Sequence, residues 1–209
     1  WQRGTALADA KTLFTADKSS VSAAGYTAYD SETPYHFIFD GTSFYTRDMY
    51  LVQNGKRIKL AIPADSSIKG INNGQIFIEL KSPWQGFAQA EVIYTDVNDL
   101  IANKPKFKSF IKATDKVSIE GLSFTKSAIL VSVMDDVKSK VYRYRAKPDG
   151  QWQIEQIAFP ETGTISVFNT DTDKDDFFVT YTDFLTPASL FLVSGDDLKI
   201  TQLKAAKSH

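Results

Sequence analysis

The chain has 209 residues, 43% hydrophobic and 13% aromatic, enough to bury a core in one domain or one large all-β unit. Its 24 Lys and Arg against 25 Asp and Glu leave a net charge of −1, so no clustered positive charge argues for nucleic acid or an anionic membrane as partner. Cysteine is absent, which excludes disulfides, thiolate zinc sites and cysteine nucleophiles from this segment, and no run approaches the roughly 18 apolar residues needed to span a bilayer. The compartment, cytoplasmic or periplasmic, stays open, because a cysteine-free chain suits either.

At the start, Trp1-Gln2-Arg3-Gly4 runs straight into mixed sequence, with no secretory leader and no initiator Met. This is read as the start of a mature form or, preferably, of a piece of a longer chain. A short helix is expected near Thr5 to Thr12. The run Tyr35-His36-Phe37-Ile38-Phe39 then closes on the turn Asp40-Gly41, and Asn72-Asn73-Gly74 precedes Gln75-Ile76-Phe77-Ile78-Glu79-Leu80. These short β-branched and aromatic runs between turn residues predict strands. A second short helix is expected over Val97 to Asn103. Ala128-Ile129-Leu130-Val131-Ser132-Val133-Met134 ends at Asp135-Asp136. Residues 141–145 and 151–155 alternate, with Tyr142 and Tyr144 opposing Arg143 and Arg145. The Pro148-Asp149-Gly150 turn between them is a hairpin signal. The last quarter predicts strands at 164–168, 177–182, 188–194 and 198–203.

The segments repeat. Ala61-Ile62-Pro63, followed by Ile68, Asn72 and the run 76–78, aligns with Ala158-Phe159-Pro160, followed by Ile165, Asn169 and the run 177–179. Their offset of about 97 residues is twice ~48, and similar strand starts fall at Val21, Ile68, Val117 and Ile165. Four antiparallel strands per unit of that length describe a propeller blade. The continuous apolar second strand fits a strand covered on both faces, and the alternating outer strands fit an edge in water. The expected fold is therefore all-β, a partial β-propeller of about four blades near 13–62, 63–112, 113–160 and 161–204. A β-sandwich shares the strand spacing but does not require the repeat.

Catalytic motifs are missing. Gly41-Thr42-Ser43-Phe44-Tyr45 and Gly121-Leu122-Ser123-Phe124-Thr125 lack the second glycine of a nucleophile elbow and the helix that follows one. Of the two histidines, His36 lies in an apolar strand and reads as a packed or edge residue, and His209 is terminal. Asn169-Thr170-Asp171-Thr172-Asp173-Lys174-Asp175-Asp176 spaces carboxylates like a calcium loop, yet Asp176 stands where the turn glycine belongs and Thr182 where the bidentate glutamate belongs. A solvated acidic hairpin is the expectation. Lys104, Lys106, Lys108 and Lys112 around Phe107 and Phe110 read as a solvated strand face, and Trp1, Trp84 and Trp152 as packing residues. No catalytic, cofactor-binding or metal-ligating residue is assigned, and no cofactor is expected. Without such a site the chain also fits a stand-alone propeller module binding a peptide or glycan. A propeller glycosidase would need paired acids near the channel, and no spacing singles any out.

An ordered set of short segments carries a resemblance. Trp1-Gln2-Arg3-Gly4-Thr5-Ala6-Leu7-Ala8-Asp9-Ala10 resembles the Trp-x-Arg-Gly-Thr-Pro-Leu-x-x-Ala segment in the propeller of bacterial prolyl-oligopeptidase-like proteins, with Ala6 in place of proline. Leu80-Lys81-Ser82-Pro83-Trp84 is similar to that family's Leu-x-x-x-Trp stretch, and Met134-Asp135-Asp136-Val137 to its Asp-x-Val turn. Thr182-Asp183-Phe184-Leu185-Thr186-Pro187-Ala188-Ser189-Leu190 resembles the Phe-Leu-(Ser/Thr)-Pro segment of the last blade, and Leu203-Lys204 the return to the peptidase domain.

The resemblance implies a seven-bladed propeller joined to an α/β-hydrolase domain with a Ser-Asp-His triad, acting on short peptides that the propeller admits. This chain would supply the last four blades. The hydrolase domain, a partner within the same parent chain, and every triad residue would lie outside it. Two blade faces, expected to be apolar, would be left uncovered, to pair as a homodimer or close into a smaller ring.

Overall fold

The computed structural model describes residues 1–207, so His209 lies outside the described residues. Four antiparallel sheets follow one another along the chain, each a four-stranded meander. The first holds β1 (Ser22–Asp30), β2 (Thr33–Gly41), β3 (Arg47–Gln53) and β4 (Lys56–Lys59). The second holds β5 (Ser67–Asn72), β6 (Gln75–Glu79), β7 (Val92–Asp96) and β8 (Lys108–Ile111). In the third are β9 (Val117–Phe124), β10 (Ile129–Asp135), β11 (Lys138–Ala146) and β12 (Trp152–Gln156), and in the fourth β13 (Thr164–Phe168), β14 (Phe177–Thr182), β15 (Ser189–Val193) and β16 (Ile200–Ala205). The first strands begin at Ser22, Ser67, Val117 and Thr164, each within a residue of the start expected from the repeat. Among the described residues, helix is confined to one 3₁₀ turn, Leu7–Asp9, and α1 (Val97–Ile101), where Asp96 caps the backbone N–H groups of Asn98 and Asp99.

Three apolar cores separate the four sheets, and each draws on two successive ones. Phe37, Met49 and Leu51 of the first sheet meet Ile76, Ile78 and Ile93 of the second. On the other side of the second sheet, Phe77 and Val92 meet Ile129, Val131 and Val133 of the third. Leu130 and Val141 of the third then meet Phe177, Val179 and Val193 of the fourth. Neighbouring residues of β6 thus point into different cores, and so do those of β10. Period-2 geometry places them on opposite faces of a strand covered twice, hence the unbroken apolar runs. The sheets are stacked blades of a partial β-propeller, and the first strands touch from blade to blade, β1 to β5 and β5 to β9. The fourth strand is outermost, and β16 is almost wholly exposed along its length.

Two expectations need correcting, and one burial goes beyond what alternation shows. Arg143, on the face of β11 opposite Tyr142 and Tyr144, is 3% exposed. Its guanidinium bonds Glu155 on β12 at 2.7 Å and the carbonyl of Gly195 in the next blade, to which Arg145 also donates. Partners on another strand and another blade make this burial tolerable, and alternation cannot anticipate them. Trp1 is 64% exposed, its indole N–H on the Thr5 carbonyl at 3.1 Å, whereas Trp84 and Trp152 pack against Phe107 and Phe110. The two uncovered blade faces also differ. On blade four, Phe168, Phe178, Leu190 and Leu192 share one apolar face. On blade one the corresponding face is mixed: Ile38, Tyr50 and Val52 share it with Thr27, His36, Asp40 and Asp48, with Asp40 directly opposite Asp48.

Candidate docking face and channel mouth

The four hairpins that join the first and second strands lie together at one end of the stack. Asp30 at the β1–β2 turn accepts the N–H groups of Asn73 (3.0 Å) and Gly74 (2.7 Å) in the β5–β6 turn. That turn is an Asn-Gly pair with both residues at positive φ, 50° and 72°, the geometry that matches strand twist in a two-residue hairpin. Asn72 Nδ2 in turn donates to the carbonyl of Thr125 in the β9–β10 hairpin at 2.8 Å, and Thr125 Oγ1 donates to Asp175 in the β13–β14 loop at 2.8 Å. In a meander, the loops joining second to third strands must then gather at the opposite end, together with the linkers between blades. Ser82 Oγ to Asp65 (2.6 Å) and Lys138 to Glu161 (2.8 Å) tie such loops to such linkers. The start of β1 and the end of β16 lie at this same end.

This second end is where the most exposed large apolar side chains collect. Phe44 (92%) and Tyr45 (87%) stand on the β2–β3 loop, Val137 (92%) on the β10–β11 turn, and Phe184 (103%) and Leu185 (95%) on the β14–β15 loop. Two of these loops are built alike. Thr42-Ser43-Phe44-Tyr45-Thr46 and Thr182-Asp183-Phe184-Leu185-Thr186 share a Thr-x-Phe-x-Thr pattern. In both, the first threonine hydroxyl donates to the carbonyl of the last, at 3.3 and 3.2 Å. In both, the second residue caps the turn: Ser43 Oγ accepts from the N–H groups of Tyr45 and Thr46 at 3.1 Å, and Asp183 from those of Leu185 (2.9 Å) and Thr186 (2.5 Å). The Tyr181 hydroxyl, donating to Asp183 at 2.6 Å, and those N–H groups hold the Asp183 carboxyl well below the usual carboxylate range. The caps fix the loop backbones, so the aromatic and aliphatic side chains are held outward rather than free to fold back. The pattern is present in the sequence, but its first copy reads there as an incomplete nucleophile elbow and its second as part of the Phe-Leu-(Ser/Thr)-Pro resemblance.

Val137 adds backbone strain to this face. Its φ of 63° is left-handed, which costs an L-residue about 1–2 kcal/mol, more readily borne by glycine. Val137→Gly is expected to raise stability by about 1 kcal/mol, read from the urea midpoint of unfolding. An unchanged or lowered midpoint would mean that the valine is not strained.

The other sequence candidates resolve as follows. Ser43 is the loop cap just described, and Ser123 lies within β9. His36 is exposed on the uncovered face of blade one, its Nδ1 2.8 Å from Thr27 Oγ1. A cavity of about 790 Å³ on that face is lined by Phe14, Gly25, His36, Ile38 and Arg57. It is the concavity left where the face has no neighbouring blade. Of the basic stretch, Lys112 reaches the fully buried Glu91 (3.6 Å), while Phe110 packs inward. Among the described residues, no group of three or more His, Asp or Glu is placed to hold a metal ion, and no helix is long and apolar enough to cross a membrane.

A stack of four-stranded meander blades, with the inner hairpins at one end and exposed apolar side chains at the other, defines a propeller domain. The chain belongs to the family of the prolyl oligopeptidase N-terminal β-propeller domain, whose model matches residues 4–206. It is 26% identical over 220 residues to an uncharacterized peptidase, y4nA, from Sinorhizobium fredii, covering 98% of this chain and 30% of that protein. An uncharacterized peptidase from Rickettsia prowazekii, RP174, is 24% identical, with 96% of this chain and 30% of its own length covered. Among solved structures, a post-proline cleaving enzyme from Rickettsia typhi superposes with a TM-score of 0.85 at 21% identity over all of this chain and 32% of its own. Oligopeptidase B from Trypanosoma brucei does so with a TM-score of 0.74 at 15% identity, over 98% of this chain and 30% of that one. The chain thus spans about a third of the length of the proteins it matches.

Proposed function

We propose that these 209 residues are the last four blades of the propeller of a serine-type, prolyl-oligopeptidase-like endopeptidase. In this reading the propeller seats on the hydrolase domain of the same parent chain and restricts which peptides reach its serine. The blades correspond to 13–62, 63–112, 113–160 and 161–204, and the triad lies outside them. The observation that carries the reading is the gathering of Phe44, Tyr45, Val137, Phe184 and Leu185 at the end of the stack where β1 begins and β16 ends. Chain that continues past β16 leaves the blade at that end, and exposed apolar groups of this size mark a contact surface. A stand-alone binding module would leave them in water.

The test uses the full-length parent and a chromogenic peptide with proline before the scissile bond. Hydrolysis abolished by a serine-directed inhibitor is expected in the parent, and none in the 209-residue chain alone. Activity in the isolated chain would overturn the assignment. Phe44→Asp with Phe184→Asp should leave propeller stability within about 0.5 kcal/mol, since both side chains are exposed. Docking loses the burial of two large side chains, at about 1.5–3 kcal/mol each, so parent activity should fall about tenfold or more. Unchanged activity would remove the docking role from this face.

A further inference from the structure

The acidic loop 169–176 between β13 and β14 is the one conspicuous sequence feature that the docking face does not use. Its carboxylates do not converge on a cation position. They accept from donors on other hairpins. Asp175 takes Thr125 Oγ1 (2.8 Å), the Ser127 N–H (2.7 Å) and Ser127 Oγ (2.8 Å) from blade three, and the Lys126 N–H donates to the Lys174 carbonyl at 3.0 Å. Asp176 takes the Gly195 N–H (2.7 Å) from the outer turn of its own blade. Asp173 takes Ser31 Oγ at 2.6 Å, and Thr172 Oγ1 takes the Ser31 N–H at 3.1 Å, both from blade one.

The last pair is unexpected, because blades one and four are not neighbours in the stack. Their outward faces are both uncovered, so the arc does not close sheet against sheet. The contact is made by loop length. The corresponding turns of blades one, two and three span 31–32, 73–74 and 125–128, and only 169–176 is long enough to reach over the opening between them. Carboxylates suit that task because each oxygen accepts strong bonds from backbone N–H and hydroxyl donors at the tips of the other hairpins.

We propose that 169–176 is a strap across the channel mouth opposite the docking face, fastening the last blade to the first of the four and keeping that mouth shut to peptides. The strap makes that mouth a closed floor, so substrate enters from the docking side. This deepens the peptidase reading and its consequence for substrates rests on it.

The experiment uses the full-length parent. The pair Ser31→Cys with Asp173→Cys should form a disulfide on mild oxidation, seen by non-reducing peptide mapping. Failure to cross-link would overturn the strap itself. Ala24→Cys, exposed on the innermost strand β1, serves as an access reporter. With the strap intact it should react with N-ethylmaleimide but slowly with a polyethylene-glycol maleimide. Ser31→Ala, Thr172→Ala and Asp173→Ala together should speed the bulky reagent about tenfold, the factor that two lost hydrogen bonds of ordinary net strength supply, and the cross-link should restore the slow rate. Equal rates with and without the strap would show a tie that closes nothing. If the parent hydrolyses peptides, the same triple variant should also accept longer ones. Cross-linking with gated labelling in a parent that hydrolyses nothing would sink the peptidase reading and leave the strap standing.

Discussion

Gly195→Ala is expected to destabilise the chain by about 3 kcal/mol or more, the combined effect of overpacking at about 1–3 kcal/mol and a displaced acceptor for charged donors at about 1.5–3. A Cβ on Gly195 would lie 2.2 Å from Asp175 Cβ and 2.5 and 2.6 Å from the carbonyl carbon and oxygen of that residue, so the obstacle is largely backbone and cannot swing aside. Moving the turn would also move the carbonyl that Arg143 and Arg145 share. Arg143 is buried, and its remaining partner is Glu155 at 2.7 Å. Urea unfolding measures the loss. A change under about 1 kcal/mol would mean that the turn is not seated on the strap as described. A second signature is faster amide exchange in 124–128 as well as 194–199, because one displacement loosens two blades.

The next largest effect is expected from Phe77→Ala, at about 3–5 kcal/mol for a fully buried aromatic. Phe77 is 1% exposed, with ring centroids of Tyr94, Phe110 and Phe124 at 5.5, 5.1 and 5.5 Å. It fills the core between blades two and three, so the cavity falls between two halves of the chain. Stacked units held by nearest-neighbour interfaces lose cooperativity where an interface weakens. Hydrogen exchange should then show blades one and two opening separately from three and four. A single uniform loss of protection across all four blades would contradict the picture of independent interfaces.

The sequence made the β6, β10 and β14 runs legible because burial on both faces leaves a strand no polar position to spare. It made the repeat legible because each blade solves the same packing problem. It did not reveal the partners of Arg143, since Glu155 and Gly195 reach it from a different strand and a different blade. The knobs at Phe44 and Phe184 were hidden by their chemistry. An aromatic beside β-branched residues looks like core, and only the capped loops turn it outward. In the acidic loop 169–176, Asp171, Asp173 and Asp176 are exposed, in keeping with a solvated hairpin, but the sequence does not show that donors on three other turns stand within reach of its carboxylates.

Every blade is a run of consecutive residues, and no strand is exchanged between blades. Each sheet therefore pairs strands that follow one another in the chain, and each core can form once its two successive blades have left the ribosome. The Ser31 bonds to Thr172 and Asp173, separated by 141 and 142 residues, stand apart from this local pattern. They cannot form until blade four is in place, so they should appear last in refolding, as a slow phase following the formation of the four sheets. Closing them would report that all four blades had stacked in order, a kinetic check on assembly supplied by a few hydrogen bonds at the tip of one loop.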